Sequence, residues 1–167
     1  LCFLHRAQKA LLIIMIVSGS FSVAHSQADG FQFIPNKGQW EEPFNYKVEL
    51  GNGEIFFATT GMIFSFWNAQ QRNAILEAAH DHNESSITNS GMVDAHGIYA
   101  DFVGANSNIQ ITGSESYSFY SNYFLGNNPS HWASEVPSYR KMTYQNVYDG
   151  INMIFYTDSS HLKYDWI

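Results

Sequence analysis

Apolar and polar residues alternate with a period of two along much of the chain, and that spacing predicts strands. Residues 45–50 set Tyr46, Val48 and Leu50 on one face and Asn45, Lys47 and Glu49 on the other, as a half-buried strand does. Gly51-Asn52-Gly53 then supplies a tight turn, because glycine reaches positive φ without steric cost. The return strand covers 54–59, and a turn at Thr60-Gly61 leads into 62–67. That last stretch is apolar on both faces and is expected to be central. The three strands read as a meander.

Further along, 68–81 carries helix formers (Gln70, Gln71, Arg72, Ala74, Leu76, Glu77) and predicts a loop with one or two helical turns. From His80 to Gly91 the run is Asp, His, Asn, Glu, Ser and Thr, a loop composition. Strands return at 95–104, 109–112, 117–125, 139–144, 151–156 and 162–167, separated by Gly126-Asn127-Asn128-Pro129, Tyr148-Asp149-Gly150 and Thr157-Asp158-Ser159-Ser160. Residues 31–40 form an opening segment with a turn at Asn36-Lys37-Gly38. About nine short strands with a turn every ten residues or so predict an all-β, sandwich-like antiparallel domain with a short helical insertion.

Composition strengthens that picture. Aromatic residues make up 16% of the chain and charged residues only 14%, and large rings pack well on pleated surfaces. The N-terminus has the build of a secretory signal peptide. Arg6 and Lys9 precede a short apolar run at 10–17, and Ala24-His25-Ser26 offers small residues for cleavage before Gln27. Residues 1–26 are therefore expected to be a leader, and 27–167 a single β-rich domain. The apolar run is short for a membrane span of about 20 residues. Cys2 lies inside the leader, so the mature chain is expected to hold no disulfide. Without Arg6 and Lys9, six basic residues face fifteen acidic ones, a charge of −9, which argues against nucleic acid as a partner. A first residue that is not Met, and a last strand that runs to Trp166-Ile167, lead us to expect a domain cut at its C-terminal end.

Several short motifs occur in a fixed order: Pro35-Asn-Lys-Gly-Gln-Trp40, Phe102-Val-Gly-Ala-Asn106, Asn122-Tyr-Phe-Leu-Gly-Asn127, Val136-Pro-Ser-Tyr139, Val147-Tyr-Asp-Gly-Ile151 and Leu162-Lys-Tyr-Asp165. Together they resemble an N-terminal domain of unknown function in large secreted bacterial proteins. These include SBBP-repeat proteins and the gliding-motility-associated, type IX-secreted surface proteins of Bacteroidota. The resemblance covers Phe31 to Ile167 and implies downstream domains of the same polypeptide as partners. It brings no catalytic residues.

Candidate chemistry is sparse. His80 and His82, with His96 downstream and Asp81 or Asp94 as a carboxylate, could share a Zn²⁺ ion, although no His-Glu-x-x-His or paired-cysteine spacing is present. A polar exposed loop that happens to carry histidines is the plainer reading. Asp149-Gly150 and Asp158-Ser159-Ser160 suit turns better than calcium ligation. Ser118, His131 and Asp149, or Glu115, Asp149 and Asp165, can be drawn as hydrolase sets, but no nucleophile-elbow motif supports them. Trp132, beside Asn127, Asn128 and His131, is the best sugar-stacking candidate; the plainer reading is that it plugs the end of the sandwich. The chain is thus expected to be a non-enzymatic structural or adhesive module that needs no cofactor. Its possible partners are an extracellular glycan or a surface protein. A carbohydrate-binding module assisting polysaccharide use is the alternative, and a hydrolase comes third.

Overall fold

The computed structural model describes residues 30–80, 93–124, 126–158 and 161–167; the leader expected at 1–26 lies outside them. Among these residues the strands are β1 (Ile34–Pro35), β2 (Tyr46–Leu50), β3 (Gly53–Ala58), β4 (Gly61–Trp67), β5 (Ala95–Asp101), β6 (Gln110–Tyr123), β7 (Ala133–Tyr148), β8 (Ile151–Asp158) and β9 (His161–Trp166). The helix α1 (Ala69–His80) lies between β4 and β5. The strands form two antiparallel sheets, one ordered β1-β2-β3-β4-β5 and the other β6-β7-β8-β9. The expected all-β, two-sheet architecture with nine strands is what the chain adopts.

Alternation explains the core. Val48, Ile55 and Phe57 turn inward from the first sheet, and Met142, Tyr144, Met153 and Phe155 from the second. Phe57 packs edge-on against Phe155, ring centres 5.0 Å apart, and Phe33 against Phe57 at 5.8 Å. Fully burying each such side chain is worth about 1.5–3 kcal/mol.

One side of the sandwich is stitched by hydrogen bonds. Phe33 and Tyr139 exchange both backbone bonds (2.9 and 3.0 Å), so the strand that opens the first sheet also touches β7 of the second. Thr157 Oγ1 donates to the Phe31 carbonyl at 2.9 Å, and the Gly113 N–H donates to Tyr46 Oη at 2.8 Å. On the other side β5 and β9 are the last strands of their sheets.

Three expectations are corrected. The stretches 109–112 and 117–125 are one strand, β6, and 139–144 is the middle of the sixteen-residue β7. What reads as interruption is absorbed as irregular pairing, with Glu115, Glu135 and Asn146 at φ of 57°, 53° and 58°. Pro137 is tolerated because β8 pairs with β7 only from Lys141 onward, so no ladder donor is missing on that side. The insertion at 68–81 is a twelve-residue helix, longer than one or two turns. Asn68 Oδ1 accepts from the N–H groups of Gln70 and Gln71, capping it, and Gln71 ties it to Asp94 through two bonds of 2.8 Å. Lys47, placed by alternation on a polar solvent face, is 8% exposed, for a reason that lies in the outer surface of the first sheet.

Candidate functional site

The alternation that fills the core also sends a second set of side chains outward from the five-stranded sheet. Cross-strand register aligns them in two rows. Lys47 faces Phe56, Phe56 faces Ile63, and Ile63 faces Tyr99. In the neighbouring row Glu49 faces Glu54, Glu54 faces Ser65, and Ser65 faces Gly97. One row is therefore mostly apolar and aromatic on the side away from the core, and the other is polar and small.

A loop at 36–44 folds over one end of these rows. The Asn36 side chain holds it, donating to the carbonyls of Trp40 (3.1 Å) and Glu42 (3.2 Å) while accepting from the Gly38 N–H (3.0 Å). Buried Gln39 donates to the Pro35 carbonyl at 2.8 Å. The loop thereby stands Trp40 and Phe44 as a wall, their rings 5.5 Å apart, with Phe44 4.9 Å from Phe56. Between this wall and Tyr99 runs an open groove of about 530 Å³ whose lining includes Phe56, Ala58, Ile63, Ser65 and Gly97. That volume is within the roughly 300–1,000 Å³ of small-ligand sites.

Lys47 sits at the walled end. Its ammonium lies 4.5 Å from the centre of the Trp40 ring and pairs with Glu54 (2.9 Å) and Glu49 (3.0 Å). Burial pushes the Lys47 pKa down, but the hydrogen bonds to Glu54 and Glu49 and their charges outweigh it, and the net direction is upward. The group is thus a held cation, not a base for proton abstraction. The groove offers ring faces, a fixed ion pair and hydroxyls.

The residues singled out from sequence occupy the tip of the β6–β7 hairpin. Asn127 is exposed, and Asn128 caps the 3-10 turn Pro129–His131, its Oδ1 accepting from the Ser130 N–H and hydroxyl. His131 Nδ1 is 3.2 Å from Glu41 Oε1. Trp132 is 45% exposed, donates its indole N–H to the Gly126 carbonyl at 3.3 Å and meets Phe124 edge-on at 5.7 Å. It stands on the surface and does not plug the sandwich. These four residues are brought together, and the tip adjoins the groove wall, since Trp40 also packs on Tyr123 at 5.2 Å.

The histidine set is not assembled among the described residues. His80 is the last residue of α1, with its side chain outside the description, and His82 lies outside it altogether. His96 is exposed on β5 opposite Phe66, and no three His, Cys, Asp or Glu side chains cluster among the described residues. His131 and Asp149 flank opposite ends of β7, on the order of 50 Å apart along the strand. Asp149 instead accepts from Asn106 at 3.2 Å, Glu115 pairs with Lys141, and Asp165 accepts from Tyr156.

A second opening, of about 390 Å³, lies between β5 and β9 among Phe64, Phe102, Phe155 and Trp166. No charged group lines it among the described residues, and Tyr164 and Trp166 carry its polar side-chain atoms, so it continues the apolar core. The outer-face groove is what sequence reasoning missed. Its signal was the apolar outward positions of 54–59 and 62–67, which read as burial.

No curated protein and no solved structure matches the chain. The family DUF7948, described as a domain of unknown function, matches residues 33–167, nearly the whole of the described sandwich, and the chain belongs to that family.

Proposed function

We propose that this domain is a non-enzymatic adhesive module of a larger secreted or cell-surface protein, making contact through the groove on the outer face of its five-stranded sheet. The observation that carries the reading is the row Lys47, Phe56, Ile63 and Tyr99, which exposes rings where a solvated sheet would carry polar residues. Tyr99 is 71% exposed, too open to be serving the core. A leader at 1–26 supports export. The ordered motifs support the further reading that related proteins are Bacteroidota surface proteins with SBBP repeats or type IX secretion, in which downstream domains are the partners.

A second contact surface is favoured by one observation: Trp132 and Phe124 both stand exposed at the hairpin tip. Retention on insoluble polysaccharides and on protein-coated surfaces tests the adhesive role and separates the two surfaces. Loss in Tyr99→Ala with Trp132→Ala unaffected supports the groove. The reverse pattern moves the contact to the tip, and no retention of the unaltered chain on any surface defeats the adhesive reading.

A further inference from the structure

We infer that the groove takes a neutral glycan chain, with pyranose rings laid between its aromatic walls, and turns away acidic polysaccharides; this rests on the groove being the contact surface. The walls have the spacing for it. Phe56 on β3, backed by Phe44 and Trp40, and Tyr99 on β5 are two strands apart, about 10 Å. Between them Ile63 forms an aliphatic floor, and in the next row the small residues Ser65 and Gly97 face each other across β4 and β5. The result is a slot with ring faces at its sides, Ile63 beneath them and small residues alongside.

Pyranose chemistry matches both features. A sugar ring presents C–H groups on its faces, which pack on aromatic rings, and hydroxyls at its edge, which need donors and acceptors. Glu54, Ser65 and the Tyr99 hydroxyl supply those groups along the groove. A purely apolar ligand such as an acyl chain would strand them without partners, at a cost.

Charge decides which glycan. Among the described lining residues Glu42 and Glu54 outnumber the single cation, Lys47, whose ammonium is already taken up by Glu54 and Glu49. The chain as a whole carries −7. A uronate, sulfate or sialate would therefore meet like charge with no free cation among the described lining residues to answer it.

Gly97 provides a clean test. A side chain there meets nothing closer than Tyr99 Cε2 at 3.7 Å, so Gly97→Val fits a strand that favours β-branched residues while filling the slot. The experiment is titration calorimetry of the full chain with soluble cello-, xylo-, manno- and chito-oligosaccharides, against oligoalginate and oligogalacturonate as acidic probes. Binding of at least one neutral series is expected, weakened about tenfold or more by Gly97→Val and by Tyr99→Ala and unchanged in Trp132→Ala. Thermal melting of both groove variants should stay close to that of the unaltered chain. Binding of the acidic probes alone would overturn the inference. So would adhesion that Gly97→Val abolishes although no oligosaccharide binds, an outcome that leaves the groove standing as the contact surface. Neutral-glycan binding indifferent to both groove variants would overturn the inference and the contact surface together.

Discussion

The hydroxyl of Tyr144, in β7, donates to the carbonyl of Ala58, 3.1 Å away at the end of β3, and so ties one sheet to the other through the core. Burial holds the phenol well above its ordinary pKa. An unfolded tyrosine ionises near pH 10 while the native one keeps its proton, so the native state binds more protons above that pH and stability falls as pH rises further. Tyr144→Phe should cost about 1–2 kcal/mol at pH 7, from the lost hydrogen bond. It should also flatten the decline above pH 10, as urea unfolding at pH 7 and at pH 11 would show.

Lys47 and the surface lysines should differ. Lys47→Ala leaves Glu54 without its partner and empties the space beside Trp40, and a loss of about 2 kcal/mol is expected. Lys163→Ala removes an exposed pair with Asp158 and should leave the unfolding midpoint nearly unchanged. The raised pKa of Lys47 has the same sign as that of Tyr144. Its contribution is complete below the ordinary lysine range and is lost as pH climbs through the folded value. Denaturant midpoints of the two variants compare them directly.

Gly113 lies beneath the Tyr139 ring, and any side chain there would overlap it. Gly113→Ala is expected to destabilise by about 1–3 kcal/mol through overpacking. In a Tyr139→Ala background the same change should cost much less, because the overlapping ring is gone. A double-mutant cycle by chemical denaturation reads that coupling.

The meander at β2–β4 was legible because glycine turns and period-two alternation agree there. The lengths of β6 and β7 were not. Glu115 and Glu135 adopt positive φ, and nothing about glutamate announces that conformation, so the stretches around them read as loop. The helix formers of 68–81 announced helical turns, but the two bonds between Gln71 and Asp94 join residues 23 apart and leave no local trace. The groove was half legible. Phe56 and Ile63 could be read as outward and apolar, but not that the 36–44 loop would wall one end of the sheet and leave the rest open. The plainer reading of Trp132, that it plugs the sandwich, did not hold, because how far it stands clear depends on the course of a long bulged hairpin.

Trp132→Ala should leave stability nearly unchanged, within about 1 kcal/mol, since the indole is half exposed and its hydrogen bond to Gly126 is local. Trp40→Ala should cost about 3 kcal/mol, because that ring packs on Phe44, Tyr123 and the Lys47 ammonium. Melting curves of the two variants test whether the tip is dispensable and the wall structural.

The central claim is that contact is made on the outer face of the five-stranded sheet. Amide hydrogen exchange, followed with and without a bound neutral oligosaccharide, tests it most directly. Slowed exchange confined to 40–47 and to β4 and β5 is the predicted result. Slowing centred on 126–134, with the groove strands unchanged, would contradict it.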